Sequence, residues 1–151
     1  MRVAQILTIT VLSAALAFPR SKDKVQLPEP APLPDRVLQA RTVFLTSDAE
    51  KFVYDEAYKQ IHAWGRFQLA ADPEQADLVW TVRTEYLPAR GSGPPYRPFV
   101  ILIMFDPKTK LELWGERQLQ RFAFKQRNRE KEGILAVDAM FERLRERIPA
   151  K

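Results

Sequence analysis

Apolar residues recur at helical spacing in two stretches of the chain. The first, residues 49–64, carries them four, four and three positions apart on one side of a helix: Val53, Ala57, Ile61 and Trp64. Ser47 with Glu50 three residues later predicts a capping box at the start of this helix, and Gly65 suits a left-handed cap at its end. The second stretch, residues 129–147, predicts a final helix with the apolar stripe Ile134, Val137, Phe141, Leu144 and Ile148.

Runs of β-branched and aromatic residues predict about five strands, at residues 41–46, 67–69, 77–87, 99–105 and 111–119. In the third run, Leu78, Trp80 and Val82 alternate with more polar positions and should face the core. The fourth run is apolar throughout, which is typical of a central strand covered on both faces. A turn at Asp106-Pro107 joins it to the fifth run as a hairpin, whereas the proline-rich residues 88–98 predict a loop.

These elements predict an α/β domain of the α+β kind, in the order β-α-β-β-β-β-α. Two one-sided helices and one very apolar strand indicate two layers, a mixed sheet of about five strands with two helices on one face. The core is expected to contain Trp80 and Ile101 from the sheet, and the helices should contribute Val53, Ile61, Phe141 and Leu144. The length of 151 residues suits one such domain.

Residues 1–17 have the pattern of a secretory signal peptide. An uncharged apolar stretch follows Arg2, and Ala15-Leu16-Ala17 is the small-x-small pattern that signal peptidase reads, here before Phe18. The apolar stretch of about 16 residues is shorter than the roughly 20 that span a bilayer, which favours cleavage. The alternative is a signal anchor in the inner membrane, because the cations at positions 20, 22 and 24 hinder translocation. We therefore expect an exported protein, periplasmic or extracellular.

Residues 18–36 alternate proline with charge, which predicts an extended, semi-rigid tether ahead of a single domain at residues 37–151. The chain has no cysteine, so it has neither the acylated cysteine of a lipoprotein nor a disulfide. The core alone must therefore stabilise the domain.

The sequence contains no catalytic, metal or nucleotide motif. His62 is the only histidine, which excludes Ser-His-Asp, Cys-His and multi-histidine sites, and the helical wheel places it opposite the apolar stripe, facing solvent. Ser92 lies between two glycines, but a nucleophile elbow needs a strand before it and a helix after it. Neither glycine-rich phosphate motif occurs. We expect no cofactor and no bound metal.

Carboxylates leave one catalytic alternative open, because a pair of acids alone can hydrolyse glycosidic bonds. Acidic residues gather around one predicted turn and alternate on the last strand: Asp72, Glu74, Asp77, Glu112 and Glu116. An unrecognised carboxylate-dependent hydrolase, with residues 88–98 as a mobile loop over its site, is therefore the alternative function. Nothing in the pattern brings two of these acids together in an apolar cleft.

Basic residues cluster between the last strand and the final helix, interleaved with Phe122 and Phe124: Arg117, Arg121, Lys125, Arg127, Arg129 and Lys131. Such mixtures bind anionic surfaces or single-stranded nucleic acid. The simpler interpretation is a solvated strand end whose two phenylalanines tuck under the sheet. The net charge of +5 is mild, and an exported protein rarely meets nucleic acid. An anionic membrane or glycan surface, or another envelope protein, is therefore the favoured partner.

Several short motifs carry a resemblance. The first helix ends in Trp64-Gly65-Arg66-Phe67, a strand opens with Ala76-Asp77-Leu78, and Leu113-Trp114 follows the Asp106 turn. In these motifs the chain resembles small exported proteins and lipoproteins of the bacterial envelope whose function is unknown, with a layout similar to the amino-terminal domain of TolB. The resemblance covers about residues 41–148 and implies a fold and a compartment, with no catalytic residue to carry over. The patterns together predict a non-catalytic exported module that binds a protein partner or an anionic surface.

Overall fold

The computed structural model describes residues 31–90 and 93–149, so the predicted signal peptide and most of the predicted tether lie outside the described residues. The described chain forms one five-stranded mixed sheet and three α-helices, in the predicted order with one short helix added at the start. A 3-10 turn precedes the third strand. The elements are α1 (Asp35–Gln39), β1 (Thr42–Ser47), α2 (Lys51–Trp64), β2 (Gln68–Leu69), β3 (Leu78–Pro88), β4 (Tyr96–Phe105), β5 (Glu112–Leu119) and α3 (Gln126–Arg147).

The sheet has the strand order β2-β1-β3-β4-β5. β1 pairs in parallel with β2 and β3, because α2 carries the chain back across the sheet between β1 and β2. β3 with β4, and β4 with β5, are antiparallel hairpin pairs. α2 and α3 pack against each other and against one face of the sheet, as predicted. Within the described chain the other face carries no helix, and we call it the helix-free face.

The main core lies between the sheet and the two long helices. The residues predicted for this core from β3, α2 and α3 are all buried: Trp80, Val53, Ile61, Phe141 and Leu144. Ile101 is buried too, but it belongs to a second cluster with Phe99 and Ile103 on the helix-free face. The division follows from strand geometry, because consecutive residues of β4 point to opposite faces of the sheet.

The start of α2 differs from the predicted capping box. The helix begins at Lys51, and the side chain of its N-cap residue, Glu50, makes no capping bond. Ser47 instead closes a turn in the link from β1, where its Oγ accepts the Ala49 N–H at 3.0 Å. The prediction was wrong because Ser47 is still the last residue of β1 and lies too far from the first helical turn. The predicted C-terminal cap is confirmed, since Gly65 has a φ of 67°.

The loop predicted at residues 88–98 is shorter than expected. β3 continues to Pro88, β4 already begins at Tyr96, and the Ala89 N–H donates to the Pro95 carbonyl at 2.9 Å. This end of the hairpin extends past the last residue of β1 that pairs with β3. Half of its backbone groups therefore have no neighbouring strand to bond, so proline costs little there.

The domain begins earlier than the predicted boundary. The Ala31 carbonyl accepts a hydrogen bond from Nε1 of Trp114 in β5, at 2.8 Å. Arg36 in α1 forms an ion pair with the buried carboxylate of Asp106 in the β4–β5 turn. Residues 31–36, which the sequence assigns to the tether, therefore contact the folded domain, because the extended chain meets partners on β5 and on the turn before it.

Candidate binding surfaces

Two phenylalanines in the connection between β5 and α3 are exposed and pack on each other. Phe124 is 89% exposed and Phe122 is 39% exposed. Their rings meet edge to face, with centroids 4.9 Å apart. The interpretation in which both rings tuck under the sheet is wrong, because both side chains are exposed to solvent. The pair is therefore an apolar patch that the core leaves exposed to solvent.

The structure divides the basic residues around this pair. Arg121, Lys125 and Arg127 are exposed beside the two rings in the sequence, and no acidic side chain among the described residues forms an ion pair with them. Arg129 is half-buried, with its guanidinium bonded to a neighbouring glutamine. Arg117 lies apart, within β5 on the helix-free face. We define the aromatic–basic surface as Phe122, Phe124, Arg121, Lys125 and Arg127.

The carboxylates that the sequence singled out lie on different elements and take part in local structure. Asp72 caps the 3-10 turn before β3. Asp77 accepts two backbone N–H groups at the start of β1, and these hydrogen bonds lower its pKa. Glu116 is buried against Arg143 of α3, with 2.6 Å between Oε1 and Nε, whereas Glu112 is exposed. Apart from Glu112, these acids therefore take part in a turn cap, backbone hydrogen bonds and an ion pair.

His62 and Ser92 are the remaining candidate residues from the sequence. His62 is exposed on α2, as predicted, and Ser92 lies outside the described residues. Within residues 31–90 and 93–149, no cluster of three histidine or acidic side chains is arranged to hold a metal ion. In the same part of the chain, no helix is both long enough and apolar enough to cross a membrane.

The sequence did not predict a half-buried polar cluster that lies between α2 and α3. Gln60 Nε2 donates to Glu56 Oε1 at 2.9 Å and to Asp138 Oδ1 at 2.6 Å, while the Arg145 guanidinium donates to Gln60 Oε1 at 2.6 Å. Burial and the neighbouring Glu56 carboxyl raise the pKa of Asp138. Burial also raises the pKa of Glu56, but hydrogen bonds from Gln60 and Lys59 outweigh burial and lower that pKa overall. The only sequence signal was an acid within the apolar stripe of α2.

An open groove of about 530 Å³ runs along the β5 edge of the sheet. All of residues 112–117 line it. Because consecutive strand residues face opposite ways, the groove follows the backbone of β5 and not a single face. It continues onto the helix-free face over Ile101 and Ile103, beside Arg83, and Ala31 also lines it. The sequence did not predict this edge groove, because the order of the strands in the folded sheet decides which strand lies at the edge.

No protein-family model matches the chain, and no curated protein matches its sequence. Solved structures do resemble it. A PelC dodecamer from Paraburkholderia phytofirmans is 11% identical, with a TM-score of 0.49, and the match covers 82% of this chain and 96% of that chain. Uncharacterized lipoprotein B from Nitrosomonas europaea is 14% identical, with a TM-score of 0.40, and covers 74% of this chain and 81% of its own.

TolB from Acinetobacter baumannii is 17% identical, with a TM-score of 0.38, and the match covers 77% of this chain and 30% of TolB. The similar structures thus include TolB and a lipoprotein, which are the kinds of envelope protein that the sequence motifs resemble.

Proposed function

We propose that this chain is an exported, non-catalytic accessory module of the bacterial envelope that binds an anionic membrane surface through its aromatic–basic surface. The exposed Phe122–Phe124 pair carries the proposal. Burying a phenylalanine side chain fully gains about 1.5–3 kcal/mol, and the fold forgoes this for Phe124. The signal-like pattern of residues 1–17 supports the location in the envelope.

The rings and the cations suit different depths of an anionic bilayer. Aromatic rings enter the boundary between headgroups and acyl chains, while arginine and lysine keep their charges at the headgroups. Arg121, Lys125 and Arg127 are exposed on the same connection and the helix turn that follows it. Each basic residue held near an anionic surface contributes about 1 kcal/mol.

Co-sedimentation with lipid vesicles tests the proposal. We expect binding to vesicles that contain phosphatidylglycerol, weaker binding as salt rises, and little binding to phosphatidylcholine alone. Changing Arg121, Lys125 and Arg127 to glutamine should weaken binding by about five-fold for each residue. Phe124→Ser should weaken binding further without lowering the urea midpoint, because Phe124 is 89% exposed and lies outside the core.

The β4–β5 turn provides a matched control. It also presents an exposed apolar side chain next to cations, since Leu111 is 64% exposed between Lys110 and the start of β5. Leu111→Ser with Lys108→Gln and Lys110→Gln should leave vesicle binding unchanged. Equal binding to anionic and neutral vesicles, or equal effects of the two sets of changes, would contradict a membrane contact at the aromatic–basic surface.

A further inference from the structure

β5 is the long open edge of the sheet. It lies at one end of the strand order and has 8 residues, whereas β2 at the other end has 2. Among the described residues it pairs only with β4. An edge strand of this length presents unpaired N–H and C=O groups that can bond a further strand.

The register shows which residues offer these groups. The Gln120 N–H donates to the Pro98 carbonyl at 2.9 Å, and opposite residues in an antiparallel ladder alternate between bonded and non-bonded pairs. The bonded pairs therefore use the even-numbered residues of β5. Gly115, Arg117 and Leu119 direct their backbone groups outward, and their side-chain positions lie on the helix-free face.

One position of this edge carries no side chain, and a cross-strand row of the same face carries positive charge. A Cβ built on Gly115 meets only the Glu112 carboxylate at 3.3 Å and a backbone carbonyl at 3.6 Å. Arg117 and Arg83 lie in one cross-strand row, on either side of the same residue of β4. Arg83 pairs with Glu85, whereas Arg117 is exposed and forms no ion pair with an acidic side chain among the described residues. The row therefore favours an anionic side chain on an approaching segment.

The chain itself already lies against this groove as an extended segment. Ala31 and Pro32 line it, ahead of α1. The Ala31 carbonyl accepts hydrogen bonds from Trp114 Nε1 at 2.8 Å and from an Arg147 guanidinium N–H at 2.7 Å. This part of β5 thus holds extended backbone through a main-chain acceptor.

We propose that the outer edge of β5 binds an extended acidic segment of a partner protein as an added antiparallel strand. The segment exchanges main-chain hydrogen bonds with Gly115, Arg117 and Leu119. Its acidic side chains lie on the helix-free face, opposite these residues, and pair with Arg117 and Arg83. This contact is separate from the aromatic–basic surface and does not depend on membrane binding.

A blocked peptide that alternates valine and glutamate is the probe, with affinity measured by NMR titration of the full chain. Residues opposite Arg117 bond inward to β5 and carry their side chains on the helix-free face, so the glutamate amides are the donors. N-methylation of the glutamate amides should therefore weaken binding by about ten-fold or more. N-methylation of the valine amides, which point away from β5, should leave the affinity unchanged.

Three changes at one position separate charge from backbone. Arg117→Ala should weaken binding by about three-fold, since exposed ion pairs contribute little. Arg117→Pro also removes the outward N–H group. This N–H makes no hydrogen bond to β4, so the pairing of β4 with β5 is kept, and the proline variant should weaken peptide binding more than alanine does. Arg117→Glu should reverse the preference, so that a valine–lysine peptide binds better than the glutamate peptide. Circular dichroism checks that each variant is folded, and Arg117→Glu tests the proposal even if the proline variant is not.

Several results would overturn the proposal. Equal affinity for the two N-methylated peptides would mean that the backbone of β5 is not used, and no binding in the millimolar range would mean that the edge is closed. Self-association of the protein that Arg117→Pro abolishes would make a second copy the occupant. Phe124→Ser should weaken vesicle binding and leave peptide binding unchanged. Either proposal can therefore be contradicted while the other holds.

Discussion

At the scale of single residues, Gly133 allows α2 and α3 to pack closely. It is buried in α3, and a Cβ built on it overlaps the ring of Phe52 in α2, 3.2 Å from Cδ2 and nearer still to Cε2. Glycine within a helix is usually less favourable than alanine by about 1 kcal/mol. Here the missing side chain provides the space for an aromatic ring from the other helix.

Gly133→Ala should therefore lower the free energy of unfolding, although alanine is the better helix former. Overpacking costs about 1–3 kcal/mol and the helical gain offsets about 1, so we expect a net loss of up to about 2 kcal/mol by urea denaturation. Gly93→Ala is the control, because nothing lies within 4 Å of a Cβ there. In a Phe52→Leu background the cost of Gly133→Ala should shrink, and strictly additive costs would show that the ring is not the obstacle.

At the scale of elements, the contact between α2 and α3 combines apolar packing with two neighbouring acids, buried Glu56 and half-buried Asp138. Gln60 Nε2 donates to a carboxylate oxygen of each acid, and burial together with the neighbouring Glu56 carboxyl raises the pKa of Asp138. The raised pKa of Asp138 means that the folded chain holds the proton of this carboxyl more tightly than the unfolded chain does. Its contribution to stability is present below the ordinary pKa of 3.8 and is lost as the pH rises through the folded pKa.

Asp138→Asn keeps a polar group of the same shape that carries no charge. At neutral pH this variant should have a higher free energy of unfolding than the wild type, and the difference should shrink as the pH falls towards 3.8. The measurement is the urea midpoint of the wild type and of the variant at several pH values across this range. Glu142→Gln, at an exposed acid of the same helix, should show no comparable trend. A constant difference at every pH would mean that Asp138 is ionised throughout.

At the scale of the whole molecule, the two proposed surfaces lie on different parts of the same domain. The groove follows the open edge of β5, and the aromatic–basic surface lies in the connection from β5 to α3. Residues 31–36 reach the same edge from the other direction and pack there, with Leu33 against the core. The amino-terminal segment of the described chain therefore contributes to the fold.

A chain that begins at Val37 should be less stable than one that begins at Ala31. It lacks the Ala31 carbonyl, the Leu33 side chain and the Arg36–Asp106 ion pair, and we expect a loss of about 2 kcal/mol in urea denaturation. Trp114→Phe removes the Nε1 donor and should cost less in the shorter chain, where its acceptor is already gone. Equal midpoints for the two chains would show that this segment only lies on the surface.

The sequence by itself determined the elements and their order, because side-chain periods of 3.6 and 2 are local properties that each segment shows on its own. The stripe of α2, the Gly65 cap, the Asp106 turn and the buried positions of β3 could all be predicted in this way. Local pattern also misled at Ser47, where membership of β1 prevented the serine from capping α2.

Only the tertiary structure decided which strand is the edge, which face the helices leave open, and which side chains meet across the chain. Gln60 of α2 bonds Asp138 of α3 because the two helices pack together, and the folded chain leaves Phe122 and Phe124 exposed. Strand order, register and helix crossing depend on contacts between residues far apart in sequence, and no local period encodes such contacts. Both candidate surfaces depend on those contacts, whereas the helices and strands that carry them do not.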